Sequence, residues 1–168
     1  MNKFVEIDPS EIRENPFDLI GKQWMLVTAG KPGDLNTMTA SWGGLGVLWN
    51  APVATCYVRP TRYTYGFMER EKHFSLAFFG DENRRALQLC GKMSGREGDK
   101  FAAAGLTPRT DAAAPYPDEA RLVLICRKMY RQDIDPAGFL DPTIEGHYNN
   151  DYHRMYIGEI VKVLRRIH

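Results

Sequence analysis

The chain runs Pro52-Val-Ala-Thr-Cys-Tyr-Val58 and continues directly into Arg59-Pro60-Thr61-Arg62-Tyr63-Thr64. The first segment predicts a β-strand, because β-branched and aromatic residues favour strands. Proline is favoured at the first helical position, so Pro60 is expected to open a helix. Free amides at that start, two hydroxyls and two guanidinium groups would suit a phosphate group. A helix after a merely basic loop would contain the same residues, so this segment alone leaves both interpretations open.

The composition indicates one globular domain over residues 1–168. Hydrophobic residues make up 43% of the chain and charged residues 26%, and the formal net charge is +1. This balance argues against nucleic acid or an anionic membrane surface as a partner. No apolar run reaches the length of a bilayer span, and Met1-Asn-Lys-Phe-Val-Glu6 lacks the apolar core of a signal peptide.

The cysteines and histidines predict no metal site. Cys56, Cys90 and Cys126 are far apart in the sequence and form no CxxC or Cys/His pairing. Their odd number also argues against a disulfide framework. A reduced, cytoplasmic location is therefore expected.

The middle of the chain predicts strands broken by short helices. No GxGxxG or GxxxxGK[ST] motif is present, which argues against Rossmann and P-loop folds. Strands at short spacing favour a closed or nearly closed antiparallel barrel. The fold class is thus mainly β with short helices. Besides residues 52–58, the predicted strands cover residues 23–29, 35–42, 72–79, 121–131 and 156–164.

Three other segments have local expectations. Gly43, Gly44 and Gly46 are expected to loosen the backbone, since glycine contributes no side chain to packing. Asp81 is expected to cap a helix that stops at Gly91. The polar excursion from residue 133 to 151 is too long for a tight hairpin and suggests a lid or a loop at a dimer contact.

A second candidate site is Asn36-Thr-Met-Thr-Ala-Ser-Trp42. Small residues, hydroxyls and one large aromatic side chain along one strand suit a flat heteroaromatic ring, which needs polar atoms at its edge and an apolar wall on its face. The alternative is an ordinary barrel strand in which Trp42 fills the core.

Two further candidates lie later in the chain. The loop Lys92-Met-Ser-Gly-Arg-Glu-Gly-Asp-Lys-Phe101 could close over a phosphate as a backbone nest with charge behind it, or could be a solvated turn. His153, just before a strand, could orient a substrate or transfer a proton, or could be a satisfied surface histidine.

In this order, the segments resemble the flavin reductase-like family of FMN-binding split barrels, which includes flavoredoxin. The resemblance covers roughly residues 15–163 and rests on four motifs in sequence order. They are Asn36 to Trp42, Pro52 to Thr64, Ser94-Gly-Arg96 with Asp99-Lys-Phe101, and His153 before Tyr156-Ile-Gly-Glu159.

The resemblance implies an antiparallel, Greek-key split barrel and a homodimer with one FMN per chain near the subunit interface. Residues 38–42 would line the isoalloxazine ring, with Thr39 near N5, and a second group would hold the phosphate. His153 would lie where a nicotinamide approaches. The cofactor-binding residues implied are Asn36, Met38, Thr39, Ala40, Ser41, Trp42, Arg59, Pro60, Arg62, Thr64, Ser94, Arg96 and Lys100, and the catalytic ones are Thr39 and His153.

The resemblance leaves three functions open. The first is an NAD(P)H-dependent flavin reductase that passes a hydride to flavin N5 and electrons on to a flavin, oxygen or a protein acceptor. The second is a tight FMN-binding electron carrier without its own nicotinamide reaction. The third is a dimeric scaffold that has lost flavin, against which the intact segment 59–64 argues.

Overall fold

The computed structural model describes residues 3–167, so Met1, Asn2 and His168, with the ends of the predicted domain, lie outside the described residues. The strands are β1 (Phe4–Ile7), β2 (Met25–Lys31), β3 (Asp34–Ala40), β4 (Gly43–Leu48), β5 (Ala51–Val58), β6 (His73–Phe78), β7 (Pro108–Arg109), β8 (Tyr116–Pro117), β9 (Leu122–Asp133) and β10 (Arg154–Arg166). The α-helices are α1 (Pro16–Gly21), α2 (Thr64–Arg70), α3 (Arg84–Lys92) and α4 (Lys100–Ala104). Short 3-10 helices cover Pro9–Glu11, Asp81–Asn83, Gly95–Glu97, Pro136–Gly138 and Pro142–His147.

Eight strands form one antiparallel sheet. Seven of them lie in the order β3-β2-β6-β9-β10-β5-β4, and β1 pairs with β10 outside this order. Strand β10 pairs with β9 on one edge, while its other edge pairs first with β5 and then with β1. The mainly β fold with short helices is confirmed. The sheet is not closed, however: β3 and β4 are its two ends in this order, and the chain passes between them through Ser41 and Trp42 alone.

The core lies on both faces of this sheet. Phe74, Leu76 and Phe78 of β6 belong to one buried cluster, as the alternation predicts, but Ala77 on the opposite face is buried in a second cluster. Residues 122–126 of β9 contribute to both clusters, which confirms a strand buried on both faces. Because both faces of the central strands are packed, the positions of the strand ends are fixed by the core.

Three local expectations were wrong. The helix after β5 begins at Thr64, because Pro60 lies in a turn in which the Arg62 N–H donates to the Arg59 carbonyl at 3.0 Å. Residues 43–48 form strand β4, and a Cβ on Gly43 would lie 2.7 Å from the Thr55 carbonyl oxygen, so glycine permits close strand pairing. Residues 81–83 form a 3-10 turn, and α3 runs through Gly91 to Lys92.

The excursion between β9 and β10 is an ordered segment, residues 134–152, called the strap below. Its base is closed by the Ile134 N–H, which donates to the His153 carbonyl at 3.0 Å, and by the ion pair of Arg154 with Asp133. Its two 3-10 turns are capped by the Asp135 and Asp141 side chains. The strap is thus held against the ends of β5 and β10.

Two findings concern the rest of the described chain. Cys56, Cys90 and Cys126 are free and buried. Among residues 3–167, no helix has both the length and the apolar character that a membrane crossing requires.

Candidate functional site

A cleft of about 230 Å³ opens at the gap between the two ends of the sheet. The ends of β3 and β5, the Ser41–Trp42 crossing and the residue before β10 meet there. In β10, Arg154 pairs with Val58 of β5, and this register places His153 beside Arg59. The lining residues are Met38, Thr39, Ala40, Ser41, Trp42, Tyr57, Arg59, Arg62 and His153.

One side of the cleft combines apolar and hydroxyl groups. Met38 is buried, whereas Trp42 is 44% exposed and packs against the His147 and His153 rings at centroid distances of 5.4 and 5.2 Å. The Thr39 hydroxyl donates to the Leu87 carbonyl of α3, which fixes this side chain against the helix. An aromatic wall beside small polar groups suits a flat ring.

The other side of the cleft is basic. Arg59 donates to the Asp151 carboxylate at 2.8 Å and to the His147 carbonyl at 2.9 Å, both in the strap. Arg62 donates to the Gly91 and Cys90 carbonyls at 3.0 and 3.3 Å. A guanidinium group carries five N–H donors, so each arginine keeps further donors beyond its two protein contacts.

His153 is a buried, neutral imidazole. Burial lowers its pKa to about 4, the Arg59 charge acts in the same direction, and the Asp151 carboxylate opposes both. The Tyr148 hydroxyl lies 2.7 Å from Nδ1. At pH 7 this side chain is therefore a hydrogen-bonding group rather than a cation.

Six predicted site residues lie outside the cleft lining, and five of them belong to the turns and elements around it. Asn36 and Thr64 form a buried pair, in which the Asn36 amide donates to the Thr64 hydroxyl at 2.8 Å. Pro60 is exposed in the turn before α2. The Ser94 hydroxyl caps the turn of Gly95–Glu97, and Arg96 donates to the Thr61 carbonyl at 3.3 Å.

Lys100, the remaining member of the predicted set, is buried behind β3. Its ammonium donates to the Thr37 and Cys90 carbonyls at 2.7 and 2.8 Å. Burial lowers its pKa to about 8, with a smaller contribution from the Arg62 charge. Lys100, Asn36 and Gly95 border a separate cavity of about 340 Å³.

The sequence reasoning missed four residues around the cleft. Tyr57 alternates with the buried Cys56 and Val58, so its direction was readable from the strand pattern. His147, Tyr148 and Asp151 come from the strap. The spacing of Asp151 two residues before His153 was the available signal for the strap contribution.

Comparison with known proteins identifies the family. The flavin reductase like domain matches residues 17–167, and the chain belongs to this family. No curated protein sequence matches the chain.

Solved structures with this architecture include an FMN-binding domain of a flavin reductases-like enzyme from Shewanella baltica, with 16% identity, 98% of this chain and 78% of that chain covered, and a TM-score of 0.71. Flavoredoxin of Desulfovibrio vulgaris is 25% identical over 83% of this chain and 67% of its own, with a TM-score of 0.64. A Streptomyces globisporus NADH:FAD oxidoreductase in complex with NAD and FAD fragments is 17% identical over 85% and 74%, with a TM-score of 0.63. These likenesses confirm the split-barrel fold.

Proposed function

We propose that this protein binds FMN in the cleft and acts as an NAD(P)H-dependent flavin reductase. The observation that carries the proposal is the joining of an aromatic and hydroxyl wall, two guanidinium groups and a neutral histidine at the gap of a flavin reductase-like fold. The Streptomyces globisporus relative, named for NADH and FAD, supports the nicotinamide reaction.

The donor set of the cleft fits FMN. Met38 and Trp42 offer apolar contact for a ring, while Ala40 and Ser41 bring backbone and hydroxyl groups to the same wall. Arg59 and Arg62 would hold the phosphate, because guanidinium forks match phosphate oxygens. A bound flavin would supply the redox chemistry, taking a hydride at N5 and passing electrons on.

The predicted site residues that lie outside the cleft lining would support the phosphate end of the cofactor indirectly. Arg96 holds the Thr61 carbonyl of the turn that carries Arg59 and Arg62, and the Asn36–Thr64 pair fixes the helix that follows. Lys100 fixes β3 to α3. We assign to these residues, with Pro60 and Ser94, the positioning of the two arginines.

His153 and Thr39 would contribute a hydrogen-bonding group and a fixed strand position to the reaction. His153, neutral at pH 7, presents a hydrogen-bonding edge beside Trp42 without adding a positive charge. Thr39, fixed to α3, sets the position of the strand against the ring. The strap packs along the Arg59 side of the cleft.

A second candidate is an FMN-binding electron carrier that receives electrons from a protein. The likeness to flavoredoxin favours it, and so does the exposure of Trp42, which leaves the ring side open to a large partner. The two candidates differ in whether NADH or NADPH alone reduces the bound flavin.

We also propose a homodimer in a reduced cytoplasm. Phe17 in α1, which borders the same groove as Trp42 and Tyr57, is an exposed apolar side chain. Val47 and Trp49, on the β4–β5 hairpin at the end of β4 away from the cleft, are exposed as well. A second copy that covered them would bury apolar surface. Three free, buried cysteines support a reducing compartment.

The test is to mix the purified protein with FMN, desalt it, and record the visible spectrum before and after anaerobic NADH or NADPH. Retained flavin that bleaches rapidly supports the reductase. Retained flavin that stays yellow with both nucleotides supports the carrier. If the flavin is lost on desalting, an FMN titration follows, and a titration without binding overturns the proposal.

A further inference from the structure

The strap residue Tyr148 contacts both functional ends of the cleft. Its hydroxyl lies 2.7 Å from His153 Nδ1, and the Arg59 guanidinium lies over its ring at 4.9 Å from the centroid. Tyr148 and Arg59 are far apart in the chain, so the fold brings them together.

The position of Tyr148 is itself well determined. Its ring stacks on Phe139 with a centroid distance of 6.2 Å and an interplanar angle of 14°, and it packs against Tyr152 at 5.0 Å. Its N–H donates to the Glu145 carbonyl at 3.0 Å, which ends the second 3-10 turn of the strap. Because the ring and backbone of Tyr148 are held by these contacts, its hydroxyl has a fixed position from which it can orient the His153 imidazole.

We propose that Tyr148 is a positioning residue. Its hydroxyl donates a hydrogen bond to His153 Nδ1 and so holds His153 as the Nε2-protonated tautomer. In a neutral imidazole one ring nitrogen is a donor and the other an acceptor. When Nδ1 accepts from Tyr148, the Nε2–H becomes the donor that His153 presents away from the strap.

This inference deepens the proposed function, on which its consequence for catalysis rests. A donor of fixed direction beside the ring wall would align an acceptor such as the carboxamide oxygen of a nicotinamide. Without Tyr148 the imidazole would divide between two tautomers and two ring orientations. The fraction of productive complexes would then fall while the FMN-binding arginines stayed in place.

The direct test is the tautomer of His153 in the FMN-free protein, measured by nitrogen-15 NMR of histidine-labelled samples. His153→Gln identifies the signal, because the chain has four histidines. The unchanged protein is expected to show the Nε2-protonated form, and Tyr148→Phe a mixture. The control is Tyr152→Phe, which removes a neighbouring hydroxyl that donates to Glu145, and it should leave the tautomer unchanged.

An Nδ1-protonated ring in the unchanged protein, or the same tautomer in Tyr148→Phe, overturns the proposal. This readout needs neither flavin nor nicotinamide, so it decides the proposal even if the protein proves not to be a reductase. With FMN and NADH, Tyr148→Phe should reduce the flavin about two- to tenfold more slowly, in line with one lost hydrogen bond, with an unchanged FMN dissociation constant.

Discussion

The guanidinium of Arg62 and the ammonium of Lys100 both donate to the carbonyl oxygen of Cys90, at 3.3 and 2.8 Å. Cys90 lies in the last turn of α3, where carbonyls lack helical partners and the helix dipole favours cations. Arg62 lines the cleft, whereas Lys100 lies behind β3. The end of α3 therefore connects the cleft to the start of α4, where Lys100 lies.

The buried ammonium of Lys100 makes stability depend on alkaline pH. The folded protein releases this proton near pH 8, whereas the unfolded chain keeps it until about pH 10.5. Between these values the unfolded state binds more protons, so the free energy of unfolding should rise with pH, by at most about 1.4 kcal/mol per pH unit. Lys100→Met should lack this rise.

The measurement is urea unfolding of both proteins from pH 7.5 to 10.5, a range of about three units around the two pKa values. Lys92→Met, which removes an exposed charge from the end of α3, is the control for a general charge effect. Parallel curves for the unchanged protein and Lys100→Met would show that Lys100 is not the titrating group.

Arg59→Ala should weaken FMN binding, because it removes a charge-assisted contact worth about 1.5–3 kcal/mol, or about ten- to 150-fold in the dissociation constant. Flavin fluorescence quenching measures it. Arg59 also holds the strap, so Asp151→Asn is the matched control, which releases the same ion pair while keeping the guanidinium. Equal weakening in both variants would assign the effect to the strap, and an unchanged constant would refute the role of Arg59.

His153→Ala should retain FMN and slow its reduction by nicotinamide, because the residue lines the cleft beside Trp42 and the substitution leaves both Arg59 and Arg62 in place. Anaerobic stopped-flow at saturating NADH measures the rate of flavin reduction separately from the retention of FMN. His73→Ala, a substitution on β6, is the control for losing a histidine elsewhere. Identical reduction rates in the variant and the unchanged protein would remove His153 from the mechanism.

Gly95→Ala should destabilise the protein by about 1–3 kcal/mol, as overpacking does. A Cβ at this position would overlap Tyr63 Cδ1 and Asn36 Oδ1, so the 94–97 turn would have to move away from the turn that carries the arginines. Gly138→Ala is the control, since a Cβ there meets no heavy atom within 4 Å. Urea midpoints compare the variants, and equal midpoints would contradict the expected clash.

The sequence predicted what depends on local pattern. Alternation in β6 and the continuous apolar run of β9 identified buried strands. The family resemblance, and not local pattern, implied that residues 38–42 share a site with Arg59, Arg62 and His153, and these residues line one cleft. Contacts between distant segments were not readable in this way. Arg59 and Asp151 are 92 residues apart, and nothing in the local spacing of either indicates the ion pair.

Burial of polar groups was the other failure of prediction. Thr64 and Lys100 are residue types that often bind ligands. Here, however, the Thr64 hydroxyl accepts from Asn36 of β3, and Lys100 donates to two backbone carbonyls. A buried polar group needs a hydrogen-bonding partner, and the partner here is the protein itself. Residue type alone does not distinguish a group that serves a ligand from one that serves the fold.

The three buried thiols offer a practical advantage for labelling. Burial raises the pKa of Cys56 to about 12, and burial raises the pKa of Cys90 and Cys126 as well, so the reactive thiolate is scarce at neutral pH. Leu140, at the outer turn of the strap, is 98% exposed. Leu140→Cys would therefore take a maleimide dye selectively with the native cysteines retained, and the dye would report strap motion as cofactor is added.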